Sequence, residues 1–308
     1  MRNRRPYALD VRVRLPLRSH GELRRAGIAV HGYVRARAFL SLPSRGIGQC
    51  KREPVSVVET RQIAGRAVAF RHESGAGPSL VCVHGSADNH HVYDRLLDAM
   101  PGRDRYAINL PGRAGTDGPA LGTAAEMEAF LSRFVESELD GNYLVVGHSL
   151  GGAVAIEHAL SSRSAGLVGI VLLATGARLR VHPMILQLFE QVAKSGAAIP
   201  PLPPGLYQQG TDPELVEEAS KHRELTPIET AGTDWRAANS FDRMQDLPKI
   251  RVPALIVAGT QDALTPAKYA HYLAAEIPNS DLHILGGAGH MLVMERAAEL
   301  AELLSQRV

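Results

Sequence analysis

From about residue 55 onward, short apolar runs alternate with helical stretches, and this alternation leaves few folds open to the chain. The runs Tyr143 to Val146 and Leu167 to Leu173, for example, flank a helical pattern over Leu150 to Leu160. Parallel strands need long crossovers, which are usually helices, so the alternation predicts a parallel sheet covered on both faces. The sequence therefore predicts an α/β fold with a mostly parallel twisted sheet of about eight strands flanked by helices. Catalytic groups are expected at the carboxyl ends of the strands.

The individual elements are predicted from apolar periodicity and from turn residues. The predicted strands are Val55 to Ile63, Arg66 to Ser74, Ser79 to Val83, Tyr106 to Leu110, Tyr143 to Val146, Leu167 to Leu173, Pro253 to Ala258 and Asp281 to Leu285. The predicted helices of the alternating part are Asn89 to Met100, Ala124 to Leu139, Leu150 to Leu160, Ala267 to Ile277 and Glu295 to Gln306.

The alternation breaks between about Gly176 and Asp246. Helices are predicted there at Met184 to Ala193 and at Pro213 to Lys221. An excursion of about 70 residues between two strands is too long for a plain loop. We therefore predict a helical cap at about residues 176–246, inserted into an α/β domain that spans residues 54–308.

The N-terminal segment has a different composition from the rest of the chain. Residues 1–53 contain thirteen Lys or Arg against three acidic residues, a net charge of +10 that leaves −8 for the remainder. This predicts a basic, flexible N-terminal arm. Contact with nucleic acid, anionic lipid or a targeting receptor stays open as its role. A leader without such a partner is the preferred interpretation, so no nucleic-acid partner is expected.

The cysteine content and the hydropathy of the sequence indicate where in the cell the protein is expected. The two cysteines, Cys50 and Cys82, make a disulfide framework implausible, and a reducing cytoplasm is the predicted location. No apolar run approaches the roughly 20 residues of a membrane helix, so no transmembrane segment is predicted. The oligomeric state is left open.

The pentapeptide Gly147-His148-Ser149-Leu150-Gly151 is the motif with the clearest chemistry. A G-x-S-x-G string alone is weak evidence for a catalytic serine, because such a string can arise by chance in a chain with 29 glycines. Here it stands between a predicted strand and a predicted helix, as a nucleophile elbow does. In such an elbow the serine has a strained backbone, and side chains at the two flanking glycines would clash in the tight turn. We therefore predict that Ser149 is a nucleophile.

Two backbone amides are candidates for an oxyanion hole. The N–H of Leu150 follows the nucleophile at the start of the next helix, where developing negative charge is favoured. The second donor is expected from the loop after the third strand, which begins at His84-Gly85. Ser86 N–H is the candidate there, because Gly85 lets the backbone approach a substrate closely. His84 itself is interpreted as structural.

These features together resemble the α/β-hydrolase superfamily. The resemblance rests on His84-Gly85 after the third strand, on Gly147-His148-Ser149-Leu150-Gly151-Gly152 after the fifth, and on a late Asp and His. It covers about residues 55–308, so the basic arm has no counterpart. It implies a serine hydrolase of the esterase and lactonase kind, with a triad in the chain order Ser, acid, His.

The acid and the base of the triad are assigned from this resemblance. Asp262 follows the predicted strand Pro253 to Ala258, where the family places its acid, whereas Asp242 and Asp246 precede that strand. His290 lies in a glycine-rich loop and is the expected base. A serine hydroxyl needs such a base, and the base needs a carboxylate to orient it.

The expected reaction is hydrolysis of a carboxylic ester, or a related acyl bond, of a small-molecule substrate through an acyl-enzyme. No cofactor and no metal are expected, because the histidines form no H-E-x-x-H pattern and no cysteine pair is present. Substrate-binding residues are not identified: Met184, Ile185 and Phe189 either line an acyl pocket or form the core of the cap. A carbon–carbon bond hydrolase, a lyase, an acyltransferase and a non-catalytic ligand receptor remain alternatives on the same fold.

Overall fold

The computed structural model describes residues 58–161, 165–195 and 205–306. The predicted basic arm, residues 1–53, lies outside the described residues. Eight strands form one sheet in the order β1-β2-β4-β3-β5-β6-β7-β8. They are β1 (Val58–Ile63), β2 (Arg66–Glu73), β3 (Ala76–Val83), β4 (Arg103–Ile108), β5 (Tyr143–His148), β6 (Leu167–Leu173), β7 (Ala254–Gly259) and β8 (Ser280–Leu285).

The sheet is mostly parallel. Strand β2 is antiparallel to both β1 and β4, and every other neighbouring pair is parallel. The predicted fold class is therefore confirmed, and so is each of the eight predicted strands, with shifts of a few residues at the ends. The parallel arrangement brings the carboxyl ends of β3, β5, β6, β7 and β8 to the same edge of the sheet.

The central strands are apolar on both faces because helices cover both sides of the sheet. Successive side chains of a strand point to opposite faces. Accordingly, Val81 and Val145 belong to one buried cluster, whereas their neighbours Cys82 and Val146 belong to the other. Because both faces are buried, the sequences of these strands are continuously apolar and do not alternate between apolar and polar residues.

The described helices are α1 (Asp94–Asp98), α2 (Ala124–Glu138), α3 (Leu150–Leu160), α4 (Pro183–Ser195), α5 (Pro213–Arg223), α6 (Ile228–Ser240), α7 (Lys268–Glu276), α8 (Leu292–Glu295) and α9 (Ala297–Ser305). The first predicted helix is divided into a 3₁₀ turn, His90–Tyr93, and α1. The last predicted helix corresponds to α9, and the short α8 that precedes it was not predicted. In the described part of the chain, no helix is long and apolar enough to cross a membrane.

Among the described residues between β6 and β7 there are three α-helices, α4, α5 and α6, and we refer to them as the helical insertion. Helices α4 and α5 occupy the two predicted positions, whereas α6 was not predicted. The buried side of α6 is made of small or polar residues such as Thr230, Ala231 and Asp234. Helix prediction relies on larger apolar residues at helical spacing, and the sequence of α6 contains little of this periodicity.

Candidate active site

Ser149 lies in the tight turn between β5 and α3. Its backbone has φ 54° and ψ −117°, a conformation that a residue with a side chain rarely adopts, and the residue is 9% exposed. The turn is held from both sides, because Ser149 N–H donates to the Leu173 carbonyl at 2.9 Å. The Ser149 carbonyl accepts from Thr175 Oγ1 at 2.7 Å. The strained backbone predicted for the elbow is therefore present.

The flanking glycines are required by backbone packing. A Cβ on Gly147 would lie 2.2 Å from the Gly151 carbonyl oxygen, and a Cβ on Gly151 would lie 2.0 Å from the Val83 carbonyl oxygen. These obstacles are main-chain atoms, which no rotamer change can move aside. The sequence prediction that side chains would clash at these two positions is confirmed.

Asp262 and His290 meet at the carboxyl ends of β7 and β8. Asp262 Oδ2 lies 2.9 Å from His290 Nδ1, and both residues are buried. The same carboxylate accepts the N–H groups of Leu264 and Thr265 at Oδ1, each at 2.8 Å, and the Thr265 hydroxyl at Oδ2, at 2.7 Å. An acceptor with four donors is held as a carboxylate in one orientation.

These contacts determine the charge of Asp262. Burial by itself would raise the pKa of its carboxyl, but attraction to His290 and the hydrogen bonds it accepts lower the pKa to about 2. The group is therefore ionised at any ordinary assay pH. A carboxylate at Nδ1 favours the tautomer of His290 in which Nε2 carries the free lone pair.

His148, inside the elbow motif, orients the backbone at His290. Its Nε2 lies 2.9 Å from the His290 carbonyl oxygen, which can only accept, so Nε2 carries the proton. Burial, together with the neighbouring His290, lowers the pKa of His148 to about 3, and the ring is neutral. Nothing in the motif indicates this contact, which joins residues 142 positions apart in the chain.

The loop after β3 passes directly against the nucleophile. A Cβ on Gly85 would lie 3.0 Å from Ser149 Cβ, which shows how closely the backbone approaches here. Within the described residues, the backbone N–H groups of Ser86 and Leu150 have no protein acceptor. His84 is fully buried, and its Nε2 accepts the Leu110 N–H at 3.2 Å, so its interpretation as structural is confirmed.

An ion pair that was not anticipated from the sequence holds this loop in place. Asp234 of α6 and Arg113, in the loop after β4, have fully buried side chains, and Arg113 Nη2 donates to Asp234 Oδ1 at 2.8 Å. Asp234 Oδ2 also accepts the backbone N–H of Ala87, next to Ser86, at 2.9 Å. A carboxylate of the helical insertion therefore positions the candidate oxyanion loop. Removing one member of such a buried pair typically costs about 3–5 kcal/mol, because the other charge is left without a partner.

A second ion pair connects the same loop to the end of α5. Arg223 Nε donates to Asp88 Oδ1 at 3.1 Å, and Arg223 Nη2 donates to the Tyr207 hydroxyl at 3.0 Å. Burial raises the pKa of Asp88, against the opposing effect of Arg223. The loop from Gly85 to Asn89 is thus held by charged groups from two helices of the insertion.

Ser149 and His290 both line a cavity of about 690 Å³. Its other lining residues come mainly from the insertion and from the segment after β7: Ser86, Leu179, Arg180, Val181, His182, Pro183, Met184, Ile185, Trp235, Ala238, Ala263, Leu264, Thr265, Pro266, Lys268 and Tyr269. Met184 and Ile185 thus line the cavity, whereas Phe189 is 4% exposed and packs against Trp235. None of these lining residues is acidic, and Arg180 and Lys268 lie exposed among them.

Comparison with known proteins gives a family and a set of relatives. The model of the family described as "Alpha/beta hydrolase family" matches residues 80–303. The chain is 25% identical to the uncharacterized hydrolase YugF of Bacillus subtilis, over 83% of this chain and 98% of that protein. It is 27% identical to the pimeloyl-[acyl-carrier protein] methyl ester esterase of Vibrio atlanticus, over 77% and 96%. A thermophilic esterase from Thermogutta terrifontis has the same fold, with a TM-score of 0.70 and 21% identity over 82% of this chain and 97% of that one.

Proposed function

Because this chain belongs to the alpha/beta hydrolase family, we propose that it is a serine hydrolase that cleaves carboxylic esters through an acyl-enzyme on Ser149. The observation that carries the proposal is the placement of a strained Ser149 and of His290, oriented by Asp262, on the wall of one cavity. A serine is reactive only where a base takes its proton, and His290, which lines the same cavity, is the proposed base. Relatives named as esterases support the ester bond as the target.

The proposed reaction has two halves. Ser149 Oγ attacks the ester carbonyl carbon while its proton passes to His290 Nε2, and the N–H groups of Ser86 and Leu150 bind the resulting oxyanion. The intermediate collapses by breaking the carbon–oxygen bond to the alcohol, which leaves with the proton from His290. Water, deprotonated by His290, then attacks the acyl-enzyme, and the carboxylic acid leaves as Ser149 regains its proton. Asp262 stabilises the imidazolium in both halves.

Labelling with a fluorophosphonate probe tests the nucleophile directly. Ser149 Oγ is expected to form a bond to phosphorus as the phosphorus–fluorine bond breaks and the serine proton leaves, so the peptide that contains Ser149 should gain the mass of the probe less HF. The Ser149→Ala variant should not be labelled, whereas Ser86→Ala, which removes another hydroxyl from the same cavity, should be. A wild-type protein that stays unlabelled would favour the ligand-receptor alternative, and a label on another serine would exclude Ser149.

The cavity also limits the substrate class. A volume of about 690 Å³ accommodates a small to medium organic molecule. Apolar side chains such as Leu179, Ile185 and Trp235 supply a wall for an acyl chain. No carboxylate is among the described lining residues, and although Arg180 Nη2 lies 3.8 Å from Asp242 outside the cavity, the exposed cations Arg180 and Lys268 favour a substrate that carries a negative charge away from the ester. We therefore propose esters of medium-length acyl groups with an anionic end as preferred substrates.

Neutralising the two cations should lower this preference without removing activity. The double variant Arg180→Gln and Lys268→Gln is expected to lose about tenfold in kcat/KM for an ester whose acyl chain ends in a carboxylate, because two exposed charges contribute about 0.7 kcal/mol each. An ester of equal length that ends in a methyl group should be hydrolysed as before. The measurement is the ratio of the two kcat/KM values at low salt.

A charge-matched control is available elsewhere on the surface. Lys249 and Arg251 are exposed and do not line the cavity, so replacing both with Gln should leave the ratio unchanged. If the cavity variant kept the wild-type ratio, or if the control variant lowered the ratio equally, the proposed preference for anionic substrates would be wrong. The assignment of Ser149 would not be affected by either outcome.

A further inference from the structure

Three side chains outside the active-site cavity bring metal-binding atoms together. His91 lies in the 3₁₀ turn, Asp94 begins α1, and His222 is near the end of α5. One possible ligand atom from each of them lies within 4.8 Å of the others. We propose that His91, Asp94 and His222 form a binding site for a divalent transition metal of the zinc type, which joins the helical insertion to the body of the α/β domain.

The imidazoles of His91 and His222 come from different elements and lie next to each other, with stacked rings whose centroids are 4.0 Å apart and whose planes differ by 18°. Because the lone pair of a ring nitrogen lies in the plane of the ring, one ring must rotate out of this stack for both to bind the same ion. In the described residues, the buried Nδ1 of His222 has no hydrogen-bond partner. A buried nitrogen with a free lone pair is unfavourable, and coordination to a metal would satisfy it.

The carboxylate of Asp94 is oriented by the neighbouring cation Arg71. Asp94 Oδ1 accepts from Arg71 Nη1 at 3.0 Å, whereas Oδ2 lies 2.6 Å from His91 Nδ1. Metal ligands are commonly oriented by such outer contacts. A metal ion bound to His91 Nδ1 and Asp94 Oδ2 would replace the proton between these two atoms, and on a neutral ring that proton would move to Nε2.

Glu218 lies on the same helix as His222 but is not one of the three clustered residues. Glu218 precedes His222 by one helical turn, so the two side chains lie on one face of α5, and both line a second, shallow cavity at the surface. Glu218 Oε2 is paired with Arg95 Nη2 at 2.8 Å, and this exposed ion pair contributes little. The cluster itself offers two imidazoles and one carboxylate, which with water make up a typical zinc donor set.

The proposed metal site lies where α5 contacts the loop that contains Asp88 and Asn89. His222 is adjacent to Arg223, the partner of Asp88, and the His222 carbonyl accepts from Asn89 Nδ2 at 2.7 Å. A metal bound here would therefore hold α5 against the part of the domain that carries the candidate oxyanion loop. Stabilisation of the folded protein is the expected effect, whereas the ester chemistry needs no metal.

Titration of the full-length, chelator-treated protein with Co²⁺ and Zn²⁺ tests the site. One equivalent of Co²⁺ should bind and give visible absorption bands of a low-symmetry cobalt site. At about 100 times its Kd, either metal should raise Tm by about 5–10 °C. His222→Gln and His91→Gln should each weaken binding by at least about tenfold. His271→Gln, which removes an exposed histidine of α7, is the matched control and should bind like the wild type.

Two results would overturn the proposal: a wild-type protein that neither binds one equivalent of Co²⁺ nor rises in Tm, or equal binding by wild type, His222→Gln and His91→Gln. The Tm of each metal-free variant reports whether it is folded. Because His91 and His222 lie on different elements, a folding defect in one variant leaves the other as the test. The outcome is independent of Ser149, so it is separable from the proposed esterase activity.

Discussion

The Ser149→Ala variant is expected to hydrolyse p-nitrophenyl esters with kcat/KM reduced by on the order of 10⁴-fold or more. Alanine cannot form the acyl-enzyme, and the remaining oxyanion donors and cavity can only assist a slow attack by water. Folding should be retained, because the hydrogen bonds that hold the elbow use the Ser149 backbone, which alanine preserves. Steady-state kinetics across several acyl lengths, together with Tm, is the measurement.

Ser86→Ala is the matched control for this loss. It removes a hydroxyl from the same cavity but retains the backbone N–H proposed as an oxyanion donor. We expect less than about a tenfold change, since the side chain has no role in the proposed chemistry. Near wild-type turnover by Ser149→Ala would exclude Ser149 as the nucleophile. A comparable loss in both variants would point to the shape of the cavity instead.

The second large effect is expected for Asp262→Asn, with kcat lowered by about 10⁴-fold and a smaller change in KM. The carboxylate accepts from Leu264, Thr265 and His290, and an amide NH₂ would face one of these donors instead of accepting from it. His290 would then lose both its orientation and the negative charge that stabilises its imidazolium. Because the pKa of Asp262 is about 2, this charge is present throughout the usual assay range.

Asp246→Asn serves as the control for Asp262→Asn. Asp246 precedes β7 and pairs with Lys249 and Arg243 at the surface, so its loss should leave kcat within about twofold of the wild-type value. A large loss in Asp246→Asn with little change in Asp262→Asn would show that the acid had been assigned to the wrong end of the strand.

Most of the fold could be predicted because its signals are local. The eight strands and helices such as α3 follow from apolar runs and turn residues, and α3 has the predicted bounds, Leu150–Leu160. Where the prediction failed, the local signal was weak: α6 buries small and polar residues, and a helix was predicted across the 3₁₀ turn at His90–Tyr93. In both places the structure is determined by packing against other elements and not by the intrinsic helix propensity of the residues.

Part of the candidate triad could also be predicted from the sequence, because its signals are local. The elbow needs glycines two residues before and after Ser149, and this requirement is visible in five residues. Asp262 and His290 are 28 residues apart and were assigned by their order along the chain relative to strands. Their 2.9 Å contact requires β7 and β8 to be neighbours in the sheet, which the sequence alone did not establish.

By itself, the sequence determined the strand and helix order, the elbow at Ser149 and the expected end of the sheet for catalytic groups. Only the tertiary structure decided which distant charges support the site. Asp234 lies 147 residues from Ala87 and 121 from Arg113, yet it binds both. His222 likewise reaches His91 only after α5 has packed near the 3₁₀ turn. The physical reason is that strand, turn and helix preferences act over a few residues, whereas buried ion pairs and ligand clusters depend on the path of the whole chain.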